Sequence, residues 1–336
     1  MKNIIKVLFV IIATLIGAGF ASGKEIYLFF FMYGIKGVIG FVVSSFIISY
    51  VIYKVFNICI NRNINNYNDF CKCIGSEFLN KIVNIFLLIT FCIMISGFAS
   101  FVQQEFNINK VYASFIIIII CYITLLKNIN GLVVVSNLLI PIIISFIFII
   151  SIKNINIIEN YKYVLNEIEI IRNGAIIKGI LYSSYNSILL IPVLTTLVKF
   201  VKNKKQIKII SVVNFILLIA LIGLVFNILL VGNKYIYSLE MPIIEIVKNY
   251  GNIYSYVYIL IIAIAIYTTA ISTEYSFLNN CKSNVNKKLY KRNLKVVSVL
   301  ALVISQISFS FLVNLLYPVF GVVGIIEIYL IIKKMY

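Results

Sequence analysis

Ile16-Gly17-Ala18-Gly19-Phe20-Ala21-Ser22-Gly23-Lys24-Glu25 interrupts the first hydrophobic segment of the chain in its middle, not at its edge. Val7 to Ile16 ahead of it and Ile26 to Met32 behind it are apolar enough for a bilayer. Glycine costs a helix about 1 kcal/mol relative to alanine, so three glycines within seven residues favour an opened backbone. Open backbone at membrane depth is tolerated only against protein or a wet cavity. An interruption of this kind points to a binding site inside a transporter-like bundle.

The rest of the chain is written for a membrane as well. Of its 336 residues 62% are hydrophobic and 12% charged, and the mean hydropathy is +1.06. A spanning helix takes about 20 mainly apolar residues, and about ten such stretches are present. They lie near 4–32, 35–60, 77–105, 109–127, 131–152, 174–199, 208–232, 252–280, 294–313 and 315–333. The 29 basic residues outnumber 11 acidic ones, giving +18, yet they sit in short loops between apolar runs. That placement argues against nucleic acid as a partner and for the positive-inside rule. With the N-terminus inside, the cytoplasmic loops collect most of the lysines, so both termini are expected in the cytoplasm of a multi-pass cell-membrane protein. Lys2, Lys6 and the small residues 17–23 imitate a signal peptide. Apolar sequence resumes straight after Glu25, however, so a retained span is expected.

Chemistry-bearing residues are few. The chain has no histidine, its one aspartate is Asp69 in a loop, and no phosphate-binding Gly-x4-Gly-Lys-Ser/Thr motif occurs. Neither an enzyme nor a bound cofactor is expected. Cys71-Lys72-Cys73 lacks the two-residue spacer of common metal or redox pairs. Two outer loops stand out, 153–173 and 233–251. Within the second, Pro242 to Lys248 reads as a short amphipathic helix closed by Gly251. It either covers an outer vestibule or rests on the membrane surface.

The sixth span carries Ile180-Leu181-Tyr182-Ser183-Ser184-Tyr185-Asn186-Ser187, with Pro192 beyond it. One reading is a second broken helix whose side chains satisfy freed backbone groups; the other is a continuous helix with back-bonding hydroxyls. Its position five spans after the first interruption favours the break. An odd number of helices per half turns the halves into inverted repeats, about 4–152 and 174–333, within one integral domain, 1–336.

With these residues in view, the chain resembles the amino acid–polyamine–organocation superfamily with the LeuT-type fold, an all-α five-plus-five inverted repeat whose first and sixth helices are broken. It resembles more closely the YkvI-type bacterial membrane proteins. Their first helix carries Gly-Ala-Gly-Phe-Ala-Ser-Gly-x-Glu, which Gly17–Gly23 and Glu25 reproduce. The resemblance implies a solute held between the two broken helices, by Gly17, Ala18, Gly19 and Phe20 on one side and Tyr182, Ser183, Ser184, Tyr185 and Asn186 on the other. Helix N-termini attract anions, so a zwitterion such as an amino acid suits this pair. Unlike better-known relatives, the sixth span has no glycine at its polar run.

Thr269, Ser272 and Thr273 in the eighth span share one helix face by their spacing. The resemblance implies a sodium site there, completed by the carbonyls of Ala13 and Ile16. The coupling ion is expected to be sodium or a proton, and sodium is favoured because the fifth span lacks the lysine that proton-coupled relatives often carry. Glu25 is expected to act as a gate or proton-linked residue, against the alternative of an outer salt bridge. Structural roles near helix ends are expected for Glu105 and Glu274, and pairing with a basic loop residue for Glu327. Small residues Ser96 to Ser100 are expected to pack helices closely. The functional expectation is a secondary transporter of a small organic solute working by alternating access. The alternative is a germination-type, permease-like receptor that binds a nutrient without bulk transport. Oligomeric state has no signature in the sequence.

Overall fold

The computed structural model describes residues 2–127, 129–155, 174–239, 241–281, 287–307 and 309–334, and these residues form helices and no strands. The first span is three short helices: α1 (Lys2–Leu15), α2 (Ala18–Ala21) and α3 (Lys24–Phe29). Then follow α4 (Ile35–Asn61), α5 (Tyr67–Ile74), α6 (Glu77–Phe106), α7 (Lys110–Leu125) and α8 (Ile129–Ile155). The later part of the chain gives α9 (Ala175–Leu197), α10 (Lys204–Leu229), α11 (Lys234–Ser238), α12 (Pro242–Lys248), α13 (Asn252–Asn280), α14 (Lys287–Ile304) and α15 (Phe309–Lys333). Six of them, α4, α6, α8, α9, α10 and α13, are long and apolar enough to cross a membrane, and α1 and α7 are shorter apolar helices.

Local sequence sets many of the boundaries. The side chains of Asn66, Asn109, Asn203 and Asn233 accept from Asp69, Val111, Gln206 and Ile236 N–H at 2.9–3.0 Å, which starts α5, α7, α10 and α11. Such caps satisfy an N–H that has no partner inside the helix. Pro242 opens α12, where its missing N–H costs nothing.

Burial sorts the helices into an interior and a rim. Tyr182 to Leu197 of α9 is buried throughout, and α6 and α13 are largely so. By contrast α4, α8 and α10 bury half or less of their apolar length and turn residues such as Phe46, Leu138 and Ile216 outward, as lipid-facing helices do. Helix α9 packs on α4 and α15, and α13 on α6, α8 and the first span. The contact with α4 is backbone-close: a Cβ on Gly179 would run into the carbonyl of Gly40. Small residues permit such approach between membrane helices.

The structure corrects three expectations. First, α9 is not broken; it runs unbroken from Ala175 to Leu197. Ser183 and Ser184 donate to the Ile180 carbonyl at 2.8 and 2.7 Å, and Asn186 to the Tyr182 carbonyl at 2.9 Å, so these three side chains serve their own regular helix, while the buried Ser187 hydroxyl meets no hydrogen-bond partner among the described residues. Second, the last two helices are 287–304 and 309–333, displaced from the expected 294–313 and 315–333. The lysine-rich start of α14 is helical, and Ser305 ends it by donating to the Leu302 carbonyl at 2.8 Å. Third, Glu327 accepts from Tyr67 of α5 at 2.6 Å and not from a basic residue. Burial, and after it the Glu327 carboxyl, hold the Tyr67 hydroxyl well above the usual phenol range. The outer loop 153–173 lies outside the described residues beyond Ile155.

Candidate functional site

The interruption of the first span is built as the glycines suggest. Helix α1 stops at Leu15, Gly17 is extended at φ −94° and ψ −168°, and Gly23 separates α2 from α3 at φ +81°. The carbonyls this frees are met from another helix. Thr269 of α13 lies between the carbonyl oxygens of Ala13 and Ile16, its Oγ1 at 3.1 Å from each. The predicted ion-site residues Ala13, Ile16 and Thr269 therefore come together.

Ser272 and Thr273 do not join them. Ser272 donates to the Thr269 carbonyl at 2.9 Å, and Thr273 to those of Thr269 and Ala270 at 3.0 Å, so both hydroxyls serve their own helix. Two main-chain oxygens of the first span thus meet one hydroxyl of α13. Hard oxygen ligands are what an alkali cation requires.

Beyond the interruption, Glu25 turns inward. It is 7% exposed, its carboxyl lies against Gly19, and its Oε2 accepts the hydroxyl of Tyr185. Glycine is required at position 19 for that approach, because a Cβ there would occupy the place of the Glu25 carboxyl. Tyr182 stands beside Tyr185 with ring centroids 5.4 Å apart, and Phe29 lies 5.4 and 5.6 Å from the two. The result is a buried carboxyl walled by aromatic rings between α3 and α9.

Of the residues expected to hold solute, Gly19 and Tyr185 meet at Glu25 with Tyr182 beside Tyr185, whereas Gly17 faces Thr269 and Met94. Ser183, Ser184 and Asn186 spend their donors inside α9, and Phe20 is a fully buried apolar side chain. Helix α2 is a single turn, so its N-terminal dipole is small, and a carboxyl of the protein already stands beside it.

Helices α11 and α12 pack over the interruption. Lys24 Nζ donates to the carbonyls of Tyr237 and Leu239 at 2.9 and 2.8 Å, which caps the end of α11. Ile243 N–H donates to the Ser22 carbonyl at 3.1 Å, and Tyr258 of α13 donates to the Ala21 carbonyl at 2.5 Å. Ile243, Ile244, Ile246 and Val247 are buried, so α12 is a plug within the fold and not a helix resting on the membrane surface. Tyr258 and the Lys24 cap were not foreseen. Only the charge of Lys24 inside a span signalled a need for partners.

Sequence and fold comparisons agree with this layout. No family model matches the chain. It is 23% identical over 322 residues to the membrane protein YkvI of Bacillus subtilis (strain 168), covering 94% of this chain and 92% of that one. Among solved structures, a Na+-coupled sialic acid symporter in a substrate-bound outward-open state superposes with a TM-score of 0.72 at 12% identity, over 99% of this chain and 79% of that one. The chain is similar to YkvI-type membrane proteins and has the LeuT-type fold. The same fold relates it to Mhp1, a nucleobase-cation-symport-1 family transporter (TM-score 0.63, 10% identity, 96% of this chain and 77% of that one). A manganese transporter of Eremococcus coleocola gives a TM-score of 0.60 at 10% identity, over 99% and 75%. In this chain Glu25 of the interrupted first span and Tyr185 of α9 join the two helices.

Proposed function

We propose that the chain is a secondary transporter of a small organic solute bearing an ammonium group, an amino acid or related zwitterion, working by alternating access in the cell membrane. The ten-span, five-plus-five layout with both termini in the cytoplasm belongs to the same reading. The observation that carries it is the Glu25–Tyr185 contact, a buried carboxyl among aromatic rings beside the interruption of the first span. A carboxylate and ring faces attract an ammonium group together. The fold shared with three transporters supports the carrier over an enzyme. Sodium is the proposed coupling ion, because the oxygens of Ala13, Ile16 and Thr269 already converge.

The test is a thermal-shift screen of the purified protein against amino acids and amines, in sodium and in potassium. A ligand at 100 times its Kd stabilises the native state by about 2.7 kcal/mol. Stabilisation by an amine-bearing compound that requires sodium, followed by flux of that compound into proteoliposomes, is the expected result. Stabilisation without flux would favour the nutrient receptor. Equal stabilisation in potassium would remove sodium from the reading.

A further inference from the structure

We propose that Glu274 is a proton-binding site, holding one proton as a neutral acid in the packed state and releasing it when the helices around it part. Sequence position suggested a structural role near a helix end, and the packing contradicts that. Glu274 lies six residues inside the end of α13 and is 1% exposed. At 1.5 Å per residue this is about 9 Å from the helix terminus.

Neither carboxyl oxygen receives a hydrogen bond from any described residue. The other two buried carboxyls differ in this respect, since Glu25 accepts from Tyr185 and Glu327 from Tyr67. The titratable groups in electrostatic range of Glu274 are Cys92 on α6, Cys121 on α7 and Tyr290 on α14, none of them a cation. Tyr290 gives its hydroxyl proton to the Leu125 carbonyl at 2.9 Å. Among the described residues, α1, α8 and α9 offer no donor or cation to the carboxyl either. An ionised carboxylate buried without a partner costs several kcal/mol, a large share of the stability of an ordinary protein. A neutral acid at the same place leaves a far smaller penalty, and ionisable residues inside membranes are functional by default.

The position gives the proton something to do. Thr269, which closes on the first span, stands five residues earlier on the same helix. At 100° per residue the two side chains point about 140° apart, so α13 stands between the interruption and Glu274. Release of the proton to water requires α6, α7, α13 and α14 to separate, because an ionised Glu274 must be hydrated. In the carrier reading above, on which this last step rests, that makes a proton a second passenger or a brake on the cycle.

The test needs no solute. Infrared spectra of the protein in nanodiscs at neutral pH should contain the carbonyl band of a protonated carboxylic acid. Glu274→Gln should remove one carboxyl's share of it, and Glu327→Gln should leave that share in place. Raising the pH should abolish the wild-type share and expose its neighbours. Buried Cys92 and Cys121 should then react with a membrane-permeant maleimide several-fold faster in wild type than in Glu274→Gln at the same pH. Peptide mass spectrometry reads each thiol separately. A spectrum unchanged by Glu274→Gln would overturn the proposal, as would a band present only when sodium is withheld, which would give the carboxylate to a cation. Failure of the solute screen would sink the carrier reading and leave the infrared result standing.

Discussion

Glu25 and Gly19 decide what the central region can hold, and they do so as a pair. The glycine leaves the space that the carboxyl fills, and Tyr185 fixes the carboxyl there. Removing a donor from a buried charged acceptor costs about 1.5–3 kcal/mol, so Tyr185→Phe should lower unfolding stability by that order. Denaturant unfolding in detergent reads it, and no loss would mean that other contacts of Glu25 suffice. Gly19→Leu makes the separate point. Its side chain would push the Glu25 carboxyl out of the region, so any solute-dependent thermal shift should vanish while the protein still folds as a monodisperse species. A preserved shift would move the solute elsewhere. An anion meeting the N-terminus of α2, the expectation from sequence, fits this geometry less well than a cation meeting Glu25, because α2 is one turn long.

At the level of elements, the outer cover depends on one lysine. Lys24 satisfies two carbonyls at the end of α11, which a five-residue helix cannot satisfy itself. Lys24→Met keeps most of the side-chain volume and removes the donor, at a cost of about 1–2 kcal/mol. Hydrogen exchange in α11 and α12 should then quicken while that in α6 stays slow; uniform protection would show that the apolar seat of α12 holds the cover alone. The first span was legible because its cause is local: three glycines within seven residues weaken a helix where they stand. The polar run of α9 looked like a second opening and is not one. Serine and asparagine donors reach their own helix at i−3 and i−4, a choice that sequence leaves undecided. Glu274 was misjudged for the opposite reason. Its surroundings come from α6, α7 and α14, from about 180 residues before it to 16 after, and no local pattern reports them.

Over the whole molecule, the first span is held from three directions: by Thr269 at its carbonyls, by Tyr185 at Glu25 and by the cover at Lys24, Ser22 and Ala21. In the alternating-access reading proposed above these contacts belong to a shut state, and opening it means breaking the third set while the first two persist. A two-state element of this kind responds only to interactions that differ between its states. The Lys24 contacts belong to the shut state, so their loss should shift the population toward the outward-open one. A cysteine placed at Ala18, buried at the interruption, reports on this without any known solute. In right-side-out vesicles, a membrane-impermeant thiol reagent should label Ala18→Cys slowly, and several-fold faster when Lys24→Met is added. Sodium should change the rate in the protein with Thr269 intact and not in Thr269→Val, because the valine removes the one side-chain oxygen that meets the Ala13 and Ile16 carbonyls. Labelling that is equally slow with and without Lys24→Met would mean that the cover is a fixed part of the fold, and the alternating-access reading would lose its outer gate.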